Sequence, residues 1–349
     1  MTSLALSSVR GPASPRALGL WLLGVAAMVF AMAVIGAVTR LTESGLSIME
    51  WAPLSGALPP LSAAEWERLF ALYRSIPEYR LENAGMTLGE FQSIFWWEWI
   101  HRLWGRLIGL AFFLPFLWFL WRRRLPSWLT PHLWALLGLG ALQGFLGWFM
   151  VASGFAERTD VSQYRLVLHL GLALGVYAYL LGLALRLLEP EAGCERPAPR
   201  AGLWALLALA ALTLASGGLV AGLDAGLIYN SYPLMDGDLV PAGYGQLRPW
   251  LANWGENVTA VQFNHRLLAH LTVAGALLLW LAGRRLGGPA GRALGLVAAV
   301  ACGQLLLGIA TLLAAVPVWL GALHQAGAIL LLSALILALH RTRPRRVAP

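Results

Sequence analysis

Residues 17–39 read ALGLWLLGVAAMVFAMAVIGAVT, a run without a charged side chain that is long enough, as a helix, to cross the roughly 30 Å hydrocarbon core of a bilayer. Seven further apolar runs of similar length follow it. Apolar residues make up 58% of the 349 residues and charged residues only 12%, too few to cover the surface of a soluble protein. The sequence therefore predicts an all-α polytopic membrane protein with eight transmembrane helices. The predicted spans are 17–39, 95–121, 128–152, 164–186, 201–222, 260–283, 291–316 and 319–340.

The basic residues predict how these helices are oriented. All 25 of them are Arg, and most lie in clusters in alternate connections between the spans. Because cytoplasmic connections are enriched in basic residues, both termini (1–16 and 341–349) and the linker 187–200 are predicted to be cytoplasmic. The same pattern accounts for the net charge of +8 without a nucleic-acid partner. The opposite face receives two long loops, 40–94 and 223–259, and loops of this length usually carry a function.

Two helix-start signals lie in the first long loop. Ser62-x-x-Glu65 precedes an apolar stripe with helical spacing, and Thr87-x-x-Glu90 precedes the second span. The first pair predicts a helix that lies along the membrane surface. The second pair predicts that the second spanning helix begins outside the bilayer.

The two halves of the chain carry similar segments in the same order. EWIHRLWGR (98–106) aligns with QFNHRLLAH (262–270), and QGFLG (143–147) aligns with QLLLG (304–308). LHLGLALG (168–175) likewise matches LHQAGAIL (323–330), and GAVTRLTESGL (36–46) matches GLVAGLDAGL (218–227). Four spans per half start each half on the same side of the membrane. We therefore expect two tandem-repeat four-helix bundles, 17–186 and 201–340, joined by the linker.

Four of the seven histidines, His101, His169, His265 and His324, fall on the even-numbered spans near their outer ends. Because these spans run in the same direction, the imidazoles are predicted to lie at similar depth, two in each bundle. One interpretation is that each histidine only makes a polar contact between helices. The matching placement in both halves favours another, in which two facing imidazoles in each bundle bind the iron of a haem.

The two predicted sites differ one turn before the first histidine, where Glu98 in the first half is replaced by Gln262 in the second. At a spacing of i,i+3 this residue shares a helical face with its histidine. A carboxylate beside a porphyrin can accept or deliver protons during oxidation of a ring substituent, whereas an amide cannot. We expect chemistry in the first pocket and a fixed redox haem in the second. The alternative is a surface ion pair between Glu98 and Arg102.

Other polar residues follow the first histidine of each half. Arg102, Arg106 and Arg266 lie one to five residues after it, where they could bind haem propionates or pair locally. His270 occupies the position equivalent to Arg106 and could support the nearby histidine, contact a haem propionate or simply pack. The residues leave these alternatives open.

With these residues identified, the chain resembles the haem A synthase family, in the form shared by α-proteobacteria and mitochondria. The likeness extends over nearly the whole chain. It is carried by GAVTRLTESGLSIMEWAPLSGALPP (36–60), PEYRLENAGMTLGEFQSIFWWEWIHRLWGRLIG (77–109), QGFLGWFMVASG (143–154) and NHRLLAH (264–270).

The resemblance implies an oxidoreductase acting on CH or CH2 groups. Members of the family oxidise the ring D methyl of haem O to a formyl group, through successive hydroxylation and loss of water, and the product haem A goes to cytochrome oxidase. The resemblance implies that His101 and His169 hold the substrate haem, that Glu98 is the acid/base group, and that His265 and His324 are the axial ligands of a resident haem B. Arg266 and His270 are the further candidates for contact with haem B, and Arg102 and Arg106 are those for the substrate propionates.

The partners and location follow from the same features. The resemblance implies that haem O synthase and cytochrome oxidase assembly factors are candidate partners. The exclusive use of Arg and the short N-terminus favour a bacterial inner membrane, with the haem sites toward the periplasmic side. Small residues such as Gly138, Gly140, Gly144 and Gly147 permit close helix contacts, either within the chain or in a homo-oligomer.

One departure from the family concerns cysteine. Many bacterial relatives carry a cysteine pair in an outer loop, but this chain has only Cys194 in the linker and Cys302 in an apolar run. We therefore expect neither a disulfide nor a cysteine–metal site.

Two other classes of protein share some of these features. A membrane cytochrome with two bis-histidine haems, passing electrons from a quinol to an acceptor, would need the four histidines but not a carboxylate in one pocket only. A transporter built from repeats would place its site near the membrane midplane, away from the outer-end histidines.

Overall fold

The computed structural model describes residues 13–53, 55–155 and 158–345. Within these ranges the chain forms ten α-helices and several short 3-10 turns, and no β-strand. The helices are α1 (Pro15–Leu41), α2 (Ala63–Tyr73), α3 (Pro77–Leu81), α4 (Leu88–Trp121), α5 (Thr130–Val151), α6 (Gln163–Leu188), α7 (Arg200–Gly222), α8 (Val258–Gly283), α9 (Gly288–Leu313) and α10 (Val318–Arg341). Residues 1–12 and 346–349, which belong to the predicted terminal segments, lie outside the described residues.

Eight of these helices, α1 and α4 to α10, are long and apolar enough to cross a membrane. They correspond one to one to the predicted spans, so the prediction of an all-α membrane protein with eight spanning helices is confirmed. The largest difference is at α4, which begins at Leu88 because Thr87 and Glu90 form a complete capping box. The Glu90 N–H donates to Thr87 Oγ1 at 3.3 Å, and the Thr87 N–H donates to the Glu90 carboxylate at 2.7 Å.

The first long loop is held by an aromatic cluster. Its helix α2 begins after Ser62, whose hydroxyl accepts the Glu65 N–H at 3.2 Å. The predicted capping box is only half formed, because the Glu65 carboxylate binds Arg68 instead. The buried face of α2 presents Phe70, which stacks on Phe91 at the start of α4 with ring centroids 5.1 Å apart. The cluster therefore fixes the loop against the end of α4 that carries the predicted site.

The spanning helices pack in two closed rings. Helices α1, α4, α5 and α6 contact one another in turn, and so do α7, α8, α9 and α10. Each ring encloses buried aliphatic and aromatic side chains, such as Leu22 and Phe116 in the first and Leu203 and Leu335 in the second. The two rings of helices contact each other through α1 and α6 of the first and α7 and α10 of the second. This packing fits two four-helix bundles, and the orientation of the termini stays a prediction.

Ion pairs join the two halves at both ends of their interface. Arg40, at the end of α1, contacts Asp160 at 2.5 Å and Asp224 at 2.8 Å. Asp160 precedes α6 and Asp224 follows α7, so one guanidinium bridges the halves. Burial raises the pKa of Asp160, although the charge of Arg40 acts in the other direction. At the opposite end, Arg341 of α10 contacts Glu189, just after α6, at 2.6 Å.

Candidate functional site

Each of the four predicted histidines lies against a glycine of the preceding spanning helix. A Cβ atom at these glycines would lie 2.7 to 3.3 Å from the nearest ring atom, closer than ordinary van der Waals contact. The pairs are Gly36–His101, Gly147–His169, Gly217–His265 and Gly308–His324. Gly147, Gly217 and Gly308 face Cε1 of their histidine, whereas Gly36 faces Nε2 of His101. A Cβ atom would force a shift at Gly308, and at the other three glycines the imidazole would have to move by a few tenths of an ångström.

In the second half the two imidazoles face each other. The ring centroids of His265 and His324 are 6.4 Å apart, and the ring planes cross at 83°. Two imidazoles that bind one metal ion at metal–nitrogen distances of about 2.0 Å have centroids roughly 6 Å apart. The Ser216 hydroxyl lies 2.9 Å from Nδ1 of His265, which leaves Nε2 of that ring for a ligand. The residues present therefore fit a haem iron held by two histidines.

A glutamine contacts the second histidine of each half. The side-chain nitrogen of Gln143 lies 3.1 Å from both Nδ1 and the backbone carbonyl oxygen of His169. The side-chain nitrogen of Gln304 lies 3.1 Å from Nδ1 and 2.8 Å from the carbonyl oxygen of His324. Sequence reasoning missed both glutamines as site residues, although each lies in a segment of the predicted repeat.

Glu98 is buried, with only 2% of its surface exposed. Its Oε1 accepts from Nε and Nη2 of Arg102 at 3.0 and 2.6 Å. Its Oε2 accepts from the Ser47 hydroxyl at 2.8 Å and the Ile48 N–H at 2.7 Å. The expected pairing with Arg102 is present, but it is not a surface pair, because Glu98 also anchors the loop that follows α1.

The matching residues of the second half hold the matching loop. Arg266 donates to the backbone carbonyls of Tyr229 and Ser231, at 2.7 and 2.9 Å, and Gln262 donates to Tyr229 at 3.1 Å. The alignment of the halves pairs these two carbonyls with those of Ile48 and Glu50, to which Arg102 donates at 2.6 and 2.8 Å. The arginine contact is therefore equivalent in both halves, whereas the residue three positions before the histidine differs.

The arginines suggested for propionate binding are largely engaged by backbone. The donors of Arg102 go to Glu98 and to the two loop carbonyls described above. Arg106 donates to the carbonyls of Ala52 and Pro53 at 2.8 and 3.0 Å, and its Nη1 is buried without a partner among the described residues. Arg106 thus keeps one donor that a ligand could use, whereas each nitrogen of the Arg102 guanidinium already donates to Glu98 or to a loop carbonyl.

His270 also contacts a loop. Its Nε2 lies 3.0 Å from the Tyr232 hydroxyl, and its ring is parallel to that of Tyr232, within 3°. Its Nδ1 lies 2.6 Å from the backbone carbonyl oxygen of Arg266. These contacts account for both of its ring nitrogens, so His270 positions the loop near Tyr232.

A second buried carboxyl group lies in the aromatic cluster of the first long loop. Glu78, at the start of α3, is 5% exposed, and its Oε2 has no hydrogen-bond partner within the described ranges. Burial raises the pKa of Glu78 to about 8, while a hydrogen bond from Tyr73 acts in the opposite direction. The carboxyl is therefore largely protonated at neutral pH. Sequence patterns offered no signal for it, because its burial depends on α2 packing against α4.

Fold and site together define a polytopic membrane protein in which each half presents a pair of glycine-backed imidazoles between its spanning helices. The model of the cytochrome oxidase assembly protein family matches residues 19–336. The chain belongs to this family.

Curated relatives extend over almost the whole chain. A protein named heme A synthase from Rhodospirillum centenum is 53% identical over 99% of this chain and 94% of its own length. Proteins of the same name from Nitrosospira multiformis and Bradyrhizobium sp. (strain ORS 278) are each 48% identical, over 93% and 95% of this chain and 93% of their own lengths. No solved structure matches the chain. The family expected from the sequence motifs is therefore confirmed.

Proposed function

We propose that this protein is a haem A synthase, an enzyme that oxidises the ring D methyl group of haem O to the formyl group of haem A. The observation that carries the proposal is one difference between two sites that share their histidines and their loop-holding arginine. Both have glycine-backed histidines and an arginine that holds a loop, but only the first has a buried carboxylate, Glu98, where the second has Gln262. The names of the relatives support the same activity.

In this proposal the first half binds the substrate, with His101 and His169 on the iron of haem O. Oxidation of a methyl group removes protons as well as electrons, so the site needs a group that accepts protons. Oε1 of Glu98 is held by two donors of Arg102, whereas Oε2 faces the Ser47 hydroxyl and the Ile48 N–H. The Ser47 hydroxyl can rotate away from Oε2 while the Ile48 N–H stays bound, whereas both donors on Oε1 belong to Arg102, so we expect Oε2 to take up the proton. Arg102 stabilises the carboxylate between transfers.

In the second half, His265 and His324 would hold haem B as the ligands of its iron. When bound there, haem B would supply one-electron transfer. Arg266 and His270 keep the loop around Tyr229 and Tyr232 in place beside this site. Gln262 donates to the carbonyl of Tyr229, and its amide does not accept a proton at neutral pH, which fits a haem that only transfers electrons.

The proposal includes the surroundings of the enzyme. The protein lies in a bacterial inner membrane with both haem sites toward the periplasmic side. Its substrate comes from a haem O synthase, and its product is passed on during assembly of cytochrome oxidase.

The test is to identify the haems bound to the protein. The full chain is produced together with a haem O synthase and purified in detergent, and its haems are extracted and separated by chromatography. Haem B together with haem A or a hydroxylated haem O is the expected result. Haem B alone, in both pockets, would instead identify an electron-transferring cytochrome and overturn the proposal.

A further inference from the structure

Two glutamines occupy equivalent places beside the second histidine of each half. Gln143 lies four residues before Gly147 on α5, and Gln304 lies four residues before Gly308 on α9. A Cβ atom at the glycine would lie 3.0 Å (Gly147) or 2.7 Å (Gly308) from Cε1 of the histidine ring, and the glutamine side-chain nitrogen lies 3.1 Å from Nδ1 in both halves. In the first half this nitrogen also lies 3.3 Å from Nε2 of His169. One turn of helix thus supports the ring at two of its atoms, and this happens twice in the chain.

Both glutamines have an unused acceptor. The Oε1 atoms of Gln143 and Gln304 are buried and have no hydrogen-bond partner in the part of the chain that the structure describes. A buried carbonyl without a donor destabilises a fold, and such atoms are uncommon in native proteins. Two of them at equivalent positions point to a donor that is present only in another state of the site.

The histidine ring supplies that donor when it binds a metal. An imidazole that coordinates through Nε2 carries its remaining proton on Nδ1 and donates it to a nearby acceptor. The amide group is nearly symmetric, so a half-turn about its last bond places Oε1 where the nitrogen now lies, next to Nδ1. The histidine carbonyl that the amide nitrogen would leave belongs to a residue inside α6 or α10, so it still accepts the helical hydrogen bond.

We propose that Gln143 and Gln304 are positioning residues that accept the Nδ1 proton of His169 and His324 when these rings bind haem iron. The inference rests on the proposed function, since it requires haem in both halves. Each glutamine fixes the orientation of its ring and raises its basicity as a ligand. The first histidine of the second half has a different partner, because Nδ1 of His265 faces the Ser216 hydroxyl.

The second half allows the sharper test, because haem B can be followed without any turnover. Full-length protein is purified in detergent from cells without haem O synthase, and haem B per chain and its midpoint potential are measured. Gln304→Leu removes the acceptor, so we expect haem affinity to fall about 10- to 100-fold and the potential to rise. Gln304→Glu supplies a stronger acceptor, so the potential should fall below that of the unmodified protein.

A second variant disturbs the amide without replacing it. A methyl group at Gly327 would overlap Oε1 of Gln304, a flexible side-chain end, so Gly327→Ala should displace the amide while the fold persists. The matched control is Gly303→Ala on α9, where an added Cβ meets open space. Gly327→Ala should shift the potential in the same direction as Gln304→Leu, and Gly303→Ala should not shift it.

The outcomes separate this inference from the proposed function. If the unmodified chain binds haem B but Gln304→Leu, Gln304→Glu and Gly327→Ala leave its affinity and potential unchanged, the glutamine role is wrong and the haem site stands. If the unmodified chain binds no haem, both fail. In cells that make haem O, Gln143→Leu should weaken retention of the substrate haem and leave haem B unchanged, and loss of haem B instead would overturn the assignment of Gln143 to the first site.

Discussion

Replacing Glu98 by Gln is the change that most directly separates a catalytic carboxylate from a structural one. Gln is nearly isosteric with Glu, and the second half already places Gln262 next to Arg266 at the equivalent position. The variant should therefore fold and retain its haems. It cannot accept a proton at neutral pH, so the oxidation should stop although the substrate is bound.

The structural effect of this replacement can be estimated from the contacts of Glu98. Its two oxygens accept four hydrogen bonds, from Ser47, Ile48 and twice from Arg102. An amide has one oxygen, so its NH2 group must face donors on one side, and at least one donor loses its partner, which costs about 1–3 kcal/mol. Removing one member of a buried ion pair can cost about 3–5 kcal/mol. For Glu98→Gln we expect a loss of stability of about 1–3 kcal/mol, because Arg102 is 20% exposed and still donates to its two backbone carbonyls.

The effect on catalysis should be much larger than the effect on stability. General acid–base groups contribute about 100- to 10,000-fold to rate, so formation of haem A should fall by at least about 100-fold. The assay compares haem A and haem O in extracts of purified variants, together with haem B per chain and the unfolding temperature. The control is Glu65→Gln, which removes an exposed carboxylate that also pairs with an arginine of its own helix, Arg68. That variant should match the unmodified protein in every measurement.

Two results would refute the reasoning. Normal haem A formation by Glu98→Gln would make Glu98 a structural partner of Arg102 and Ile48 only. Loss of haem B from the same variant would mean that the two halves are not independent, so that the loss of activity says nothing about proton transfer.

Three further predictions concern the haem B site and the first long loop. His265→Ala should lose haem B and with it the formation of haem A, and full haem B spectra in this variant would contradict the ligand assignment. Gly308→Ala should reduce haem B content, because its Cβ would lie 2.7 Å from Cε1 of His324, whereas Gly303→Ala on the same helix should not. Burial raises the pKa of Glu78 from its ordinary value to about 8, so the folded state binds this proton more tightly than the unfolded state. Stability should therefore fall as pH rises from about 5 through 8, by a few kcal/mol at most, and thermal unfolding of Glu78→Gln at pH 6 and pH 9 should lack this loss.

The sequence predicted those features that depend on neighbours along the chain. A spanning helix needs about 20 apolar residues in a row, so the eight spans could be counted directly. Thr87 and Glu90 are three residues apart, and the capping box they predict is complete. Glu98 and His101 share a helical face by spacing alone.

Contacts between distant segments could not be predicted in the same way. The loop carbonyls of Ile48 and Glu50 lie about fifty residues before Arg102, and no periodicity connects them. Gln143 was visible as part of a repeated segment, but its contact with His169 depends on how α5 packs against α6. The burial of Glu78 requires the aromatic cluster around Phe91. Charge on an arginine does not reveal whether it will bind a ligand or a backbone carbonyl.

Under the proposed function, a single position distinguishes the catalytic half from the other. In both, the arginine that directly follows the histidine fixes the loop through the equivalent pair of carbonyls. At the residue one turn before the histidine, Glu98 accepts the N–H of Ile48, whereas Gln262 donates to the carbonyl of Tyr229. The charged carboxylate of Glu98 therefore needs hydrogen-bond donors from the loop and from Arg102 while it is buried. The neutral amide of Gln262 does not need a positive charge beside it. A carboxylate can therefore stand at this position in the first half without changing the framework, whereas the second half keeps the framework with an amide at this position, which cannot accept a proton.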